Sequence, residues 1–214
     1  MKSLKLFDTF LQTKPNRPDP LNLRLHRALS WLEKAEQSGD DIDIQFITLW
    51  ISFNAIYAKE IANERTPDRI GFNDFIHQIC RLDDDGTLYD IIWQRFSHSI
   101  RVMLNNQYVF QPFWDYHNGK ISEKAWQEDF QAANKKAFNA LKEQDTDRIM
   151  LVIFARLYTL RNQIVHGGAT YASQVNRQQV KDGCQILLAI IPAIIQIVMQ
   201  HPDEAWGKPF YPVI

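Results

Sequence analysis

Arg161, Asn162 and His166 are the residues of this sequence whose types and spacing suit joint chemistry. They lie in Leu160-Arg161-Asn162-Gln163-Ile164-Val165-His166-Gly167-Gly168, at the end of an otherwise apolar helical pattern. At 3.6 residues per turn, Asn162 and His166 are i,i+4 neighbours, while Arg161 stands about 140° around from His166 and roughly 7.5 Å along the axis. Arginine and histidine can therefore flank one guest without pairing with each other. Histidine, with a reference pKa of about 6.5, gives or takes a proton near neutral pH, and arginine keeps its charge. The Gly-Gly that follows supplies left-handed backbone for a cap, so the helix is expected to stop within about two residues of Gly167. That places His166 in the last turn, where free carbonyls favour a protonated imidazole.

Other polar groupings are weaker. His77 and Cys80 are three apart on a predicted helix, but no second ligand pair stands at zinc-finger spacing. Asp83-Asp84-Asp85-Gly86 reads as a solvated turn, because a calcium loop needs alternating oxygen ligands and a distal glutamate. His98 lies between Arg95 and Arg101 on a polar helix face, and His26, His117 and His201 lie near element ends. The sequence holds no glycine-rich phosphate loop, HExxH pair or GxSxG elbow. Neither a cofactor nor a metal is expected.

The elements that must position the motif are predicted to be helices almost throughout. Residues 1–20 read as an N-terminal arm with a short helix and a linker broken by Pro15, Pro18 and Pro20, ahead of one helical domain over 21–214. Within that domain, 3.6-residue periodicity predicts helices over about 21–37, 41–63, 73–82, 87–106, 122–142, 146–166 and 177–200. Pro67 and Gly71 are expected to interrupt the chain, and the aromatic segment 108–119 is expected to be irregular. Asp41 or Asp43, Ser122, and Asp145 or Thr146 are the predicted caps. No strand alternation or repeat is evident, so the fold class is all-α, a bundle of five to seven helices.

Composition narrows the function classes. Lys and Arg number 24 against 25 Asp and Glu, a formal charge of −1 with a pI near 6.6, so any polyanion must bind at a local site. The two cysteines, Cys80 and Cys184, read as small hydrophobes in a reducing cytoplasm. No continuous apolar run follows Lys2 and Lys5 before Pro15, so the start does not read as a signal peptide. Cys184 to Met199 approaches the length of a membrane span, but Gln185, Gln196 and Pro192 favour a buried core helix.

The string Arg161-Asn162, three residues, then His166, on a C-terminal apolar helix of an all-helical chain, resembles the signature of the HEPN superfamily. A second segment, LWISFNAIY at 49–57, resembles the central second helix of bacterial members. The resemblance covers residues 21 to 200 and implies a HEPN-like helical bundle. It also implies a metal-independent endoribonuclease of the kind found in toxin–antitoxin, phage-defence and CRISPR systems. Its partners would then be RNA, a second copy of the chain and an antitoxin protein, with no membrane. The tyrosine frequent in the family two residues after the histidine is absent, and Gly168 stands there.

Metal-free RNA cleavage needs a base for the 2′-hydroxyl, positive charge for the phosphorane-like transition state and a proton for the leaving 5′-oxygen. By the resemblance, His166 and Arg161 take those parts, and Asn162 holds the imidazole or donates to the phosphate. One copy offers a single motif histidine for two proton transfers, so a two-fold dimer is expected. Two alternatives accompany this reading: a catalytically inactive bundle acting as a dimerisation or RNA-binding module, and a membrane-associated helical protein.

Overall fold

The computed structural model describes residues 1–58, 68–209 and 211, with residues 68–70 as backbone alone. In chain order its helices are α1 (Lys2–Thr13), α2 (Asp19–Gln37), α3 (Ile42–Tyr57), α4 (Asp68–Arg81), α5 (Thr87–Asp90), α6 (Ser97–Leu104), α7 (Gln111–His117), α8 (Glu123–Glu143), α9 (Thr146–Val165) and α10 (Arg177–Gln200). Short 3₁₀ turns cover Lys14–Asn16 and Gln107–Val109. The chain is all-α, and no β-strand occurs among the described residues. The ten α-helices of the described residues exceed the expected five to seven. The surplus is α1, α7 and the division of the predicted 87–106 helix into α5 and α6.

Local chemistry accounts for most boundaries. The Asp41 carboxylate accepts from the backbone N–H groups of Asp43 and Ile44, the Ser122 hydroxyl from Ala125, and the Asp145 carboxylate from Arg148, each satisfying free donors of a first turn. Pro20 and Pro112 sit in the first turns of α2 and α7, where a missing N–H costs nothing. The aromatic segment 108–119 is therefore not irregular, because Pro112 opens a helix there. Gly71 lies within α4 and does not interrupt it. The predicted interruption at Pro67 lies outside the described residues, as does the expected continuation of α3 over residues 59–63. Ala58 is already extended at the end of α3.

The chain divides into two compact units, residues 1–87 with 184–214, and residues 88–183. In the first, α2 and α3 form an antiparallel hairpin ruled by buried polar rungs. Gln45 Nε2 donates to the Ala35 carbonyl (3.0 Å), Ser52 Oγ to that of Ala28 (2.7 Å), and Arg24 donates its Nη1–H to that of Ile56 (2.7 Å). Each rung steps back along α2 by as many residues as it advances along α3, which fixes the register. Leu25, Leu29, Leu32, Phe46, Leu49 and Phe53 fill the space between them and are fully buried.

The residues read as an arm carry α1, which packs on α2 with Phe10 buried. Arg17 fastens the proline-rich turn by donating to the Phe10 carbonyl, the Thr13 hydroxyl and the Asn22 side chain. Residues 184–200 of α10 belong to this unit, with Ile186, Leu187, Ile190, Ile191, Ile194, Ile195 and Val198 fully buried. This helix alone among the described residues is long and apolar enough to cross a membrane by length and composition, and 78% of its apolar window is buried inside the protein.

The second unit contains α6, α7, α8 and α9. Helical periodicity over 87–106 breaks at a π-helical turn, Ile91–Arg95, where the Phe96 N–H reaches the Ile91 carbonyl (3.0 Å). Trp93 Nε1 donates to Thr146 Oγ1 (3.0 Å) and the Tyr89 hydroxyl bonds Gln144 Oε1 (3.0 Å), fastening this turn to the α8–α9 junction. The core of the unit is drawn from Ile92, Ile100, Val109, Leu141, Ile149, Ile153, Phe154 and Leu157.

Candidate functional site

All three predicted site residues lie in the second unit, at the C-terminal end of α9. The helix ends at Val165, as Gly-Gly led us to expect. The His166 N–H still closes onto the Asn162 carbonyl (3.0 Å), and Gly167 then adopts φ +70°. His166 is thus the residue that leaves the helix, one position beyond the last turn in which it was expected.

Arg161 and Asn162 are brought together. Arg161 donates its Nη1–H to Asn162 Oδ1 (3.0 Å), and the guanidinium lies 6.0 Å from the centre of the Tyr158 ring. Its Nε is buried and has no hydrogen-bond partner among the described residues. A buried, unsatisfied N–H on a permanent cation is costly to keep, and the Nη1 of Arg156 on the same helix is likewise without a partner among the described residues. His166 is exposed, and its ring makes no hydrogen bond among the described residues, so the imidazole is open to a guest but is not oriented by Asn162. The arrangement offers fixed positive charge, an amide and an accessible imidazole on one helix end.

A second arginine on the same helix escaped the sequence reading. Arg156 is buried between Phe110 (4.4 Å) and Phe130 (5.6 Å) and reaches Asn134 Oδ1 at 3.4 Å. Burial pushes its guanidinium down to about 10. The aromatic segment thus has a structural task, enclosing a cation of the motif helix.

Gln163, inside the motif but unnoticed in it, is the best-connected side chain of this helix end. Its Nε2 donates to the Tyr108 carbonyl (2.7 Å) and its Oε1 accepts from Asn176 Nδ2 (3.0 Å). Tyr108 and Asn176 belong to the wall of an open groove of about 630 Å³. Two amide runs, Asn105-Asn106-Gln107 and Asn176 with Gln178-Gln179, were the signal in the sequence for that groove.

Charge is unevenly divided along the chain. Residues 88–183 carry twelve Lys and Arg against nine Asp and Glu, a formal +3, whereas the other unit carries twelve against sixteen, a formal −4. Arg95, His98 and Arg101 are exposed, the last two on α6, a helix that packs on α9. Among the described residues no three His, Cys, Asp or Glu side chains gather as metal ligands, and Cys80 and Cys184 form no disulfide. Compared with known proteins, the chain matches no family model, no curated protein and no solved structure.

Proposed function

We propose that the chain is an endoribonuclease of the HEPN type that cleaves RNA without a metal, in a toxin or phage-defence setting. One observation carries the reading. The end of α9 presents a charged guanidinium held by an amide, five residues before an exposed imidazole. The +3 balance of residues 88–183 supports binding of a polyanion by this unit, although the whole chain is slightly acidic.

In the reaction, the neutral His166 imidazole removes the proton from a 2′-hydroxyl. The 2′-oxygen attacks the adjacent phosphorus, the bond from phosphorus to the 5′-oxygen breaks, and a protonated imidazole delivers a proton to that leaving oxygen. The products are a 2′,3′-cyclic phosphate and a 5′-hydroxyl. Arg161 balances the charge that grows on the non-bridging oxygens, and Asn162 keeps the guanidinium aimed. The second proton transfer falls to the histidine of another copy, so the working species is a two-fold dimer. An antitoxin protein is a further expected partner.

The test is incubation of single-stranded RNA with the purified chain in EDTA. Cleavage to the cyclic phosphate is expected, with His166→Ala and Arg161→Ala each slowing it by about 10²- to 10⁴-fold. Asn162→Ala should cost less. Full activity of the His166→Ala protein, or complete loss of wild-type activity in EDTA, would sink the assignment and favour a non-catalytic, RNA-binding or dimerisation module.

A further inference from the structure

The groove beside the motif differs in chemistry from the motif itself. Its wall is built from the carboxamides of Asn105, Asn106, Gln107, Asn176 and Gln179 with Tyr108 and the exposed Val175, and it includes no ionisable Lys, Arg, Asp, Glu or His. A wall of that kind gives no counter-charge to a phosphate and no ligand set to a metal. It offers paired donors and acceptors to a neutral, planar, hydrogen-bonding guest. Its volume, about 630 Å³, falls among those of small-ligand sites, roughly 300–1,000 Å³.

Three of the carboxamides, Asn105, Gln107 and Gln179, make no side-chain hydrogen bond among the described residues. Asn106 Oδ1 already accepts from the Tyr108 N–H (2.8 Å), which leaves its amide donors for a guest. Tyr108 is 45% exposed, yet its frame is fixed. Its carbonyl accepts from Gln163 and from Trp114 Nε1 (2.8 Å), and its ring meets Phe113 edge-on with centroids 5.3 Å apart. A half-exposed, preset aromatic ring is a stacking platform.

We propose that this groove is the base-binding subsite of the ribonuclease, taking one unpaired base of the RNA next to the scissile phosphate. Tyr108 stacks on the base and the free carboxamides read its edge. Gln163 links subsite and chemistry, since it holds both Tyr108 and Asn176 and sits between Asn162 and His166 in the chain. A carboxamide pairs bidentately with an adjacent donor and acceptor, which an unpaired adenine presents on both its Watson–Crick (N6/N1) and Hoogsteen (N6/N7) edges and a pyrimidine only on its Watson–Crick side; adenine also stacks over a larger area, so adenine is the preferred base. The assignment rests on the ribonuclease reading and adds selectivity to it.

Binding and cleavage separate the two. Short 2′-O-methyl oligoadenylate, oligocytidylate and oligouridylate lack the attacking hydroxyl and report binding alone, by fluorescence anisotropy with the full chain. Oligoadenylate should bind tightest. Tyr108→Ala should weaken it by about 5- to 100-fold, Tyr108→Phe should restore it, and Asn105→Ala combined with Gln179→Ala should flatten the base preference. Circular dichroism checks that the variants fold; if Tyr108→Ala does not, the amide pair decides the matter. Variants that bind all three oligomers as the wild type does overturn the subsite, while cleavage of ordinary RNA in EDTA keeps the ribonuclease reading. Tyr108-dependent binding without any cleavage does the reverse. No oligonucleotide binding by the wild type overturns the subsite and leaves the groove to a peptide.

Discussion

Two arginines five residues apart on α9 meet opposite surroundings, and the sequence separates them only by their neighbours. Arg161 is followed by Asn162 and a helix stop, so its place at a polar helix end was legible. Arg156 lies inside an apolar run, and nothing local announces that Phe110 and Phe130 close over it. That Arg161, Asn162 and His166 share one helix end was therefore readable, but the exposure of the His166 ring was not, because that depends on the exit angle of the chain. Since His166 packs against little, His166→Ala should change unfolding free energy by no more than about 0.5 kcal/mol in urea titration, so that lost activity reports chemistry. Arg156 is a different case. Burial lowers its pKa to about 10, worth about 3 kcal/mol against the charged form, while contacts with two rings return about 2 kcal/mol or more. The folded value lies below the unfolded one, so the penalty is complete below pH 10 and constant through neutrality. Arg156→Met removes the charge and keeps the stem, and should leave stability within about 1.5 kcal/mol of wild type, whereas Arg156→Ala also opens a cavity and should cost about 2–4 kcal/mol. Equal damage from both would mean that the guanidinium contacts outweigh desolvation.

At the scale of elements, starts were more legible than interruptions. Asp41, Ser122 and Asp145 act through the side-chain bonds that their types imply. The π-helical turn at Ile91–Arg95 is not legible locally, because the apolar residues on either side of it still read as one helical pattern; what holds it, Tyr89 and Trp93 bonded to Gln144 and Thr146, is remote in sequence. The aromatic segment was expected to be irregular, but its Pro112 acts as a helix start and not as a breaker. Glycines show how one substitution acts oppositely by context. At Gly167 the backbone is left-handed (φ +70°) with no atom near the site of a Cβ, so Gly167→Ala should cost about 1–2 kcal/mol through conformation alone. At Gly71, within α4 and equally open, Gly71→Ala should gain about 0.5–1 kcal/mol by stiffening the unfolded chain and improving helix propensity. Urea titration of both variants decides the matter, and shifts of the same sign would refute one of the two conformational arguments.

At the scale of the molecule, the all-α class followed from periodicity alone, and burial of α10 followed from the polar interruptions in its apolar stretch. The uneven division of charge was hidden in a total near zero, since it requires knowing that residues 184–214 fold with 1–87 and leave 88–183 as a unit of their own. The remaining property at this scale is assembly, and stoichiometry makes it testable. Transesterification moves one proton off the 2′-oxygen and another onto the 5′-oxygen, and each chain contributes a single His166 to the motif. If two copies share one site across a two-fold axis, a chain carrying both Arg161→Ala and His166→Ala acts as a poison of its partner. Mixed in equal amounts with wild type and allowed to exchange, it should leave roughly a quarter of the dimers with two intact motifs, and activity should fall to about that fraction. If each chain holds a complete site, the same mixture keeps about half of the activity, in proportion to intact chains. Sedimentation at micromolar concentration should show the dimer directly, and monomer alone, together with proportional activity in the mixture, would end the shared-site proposal.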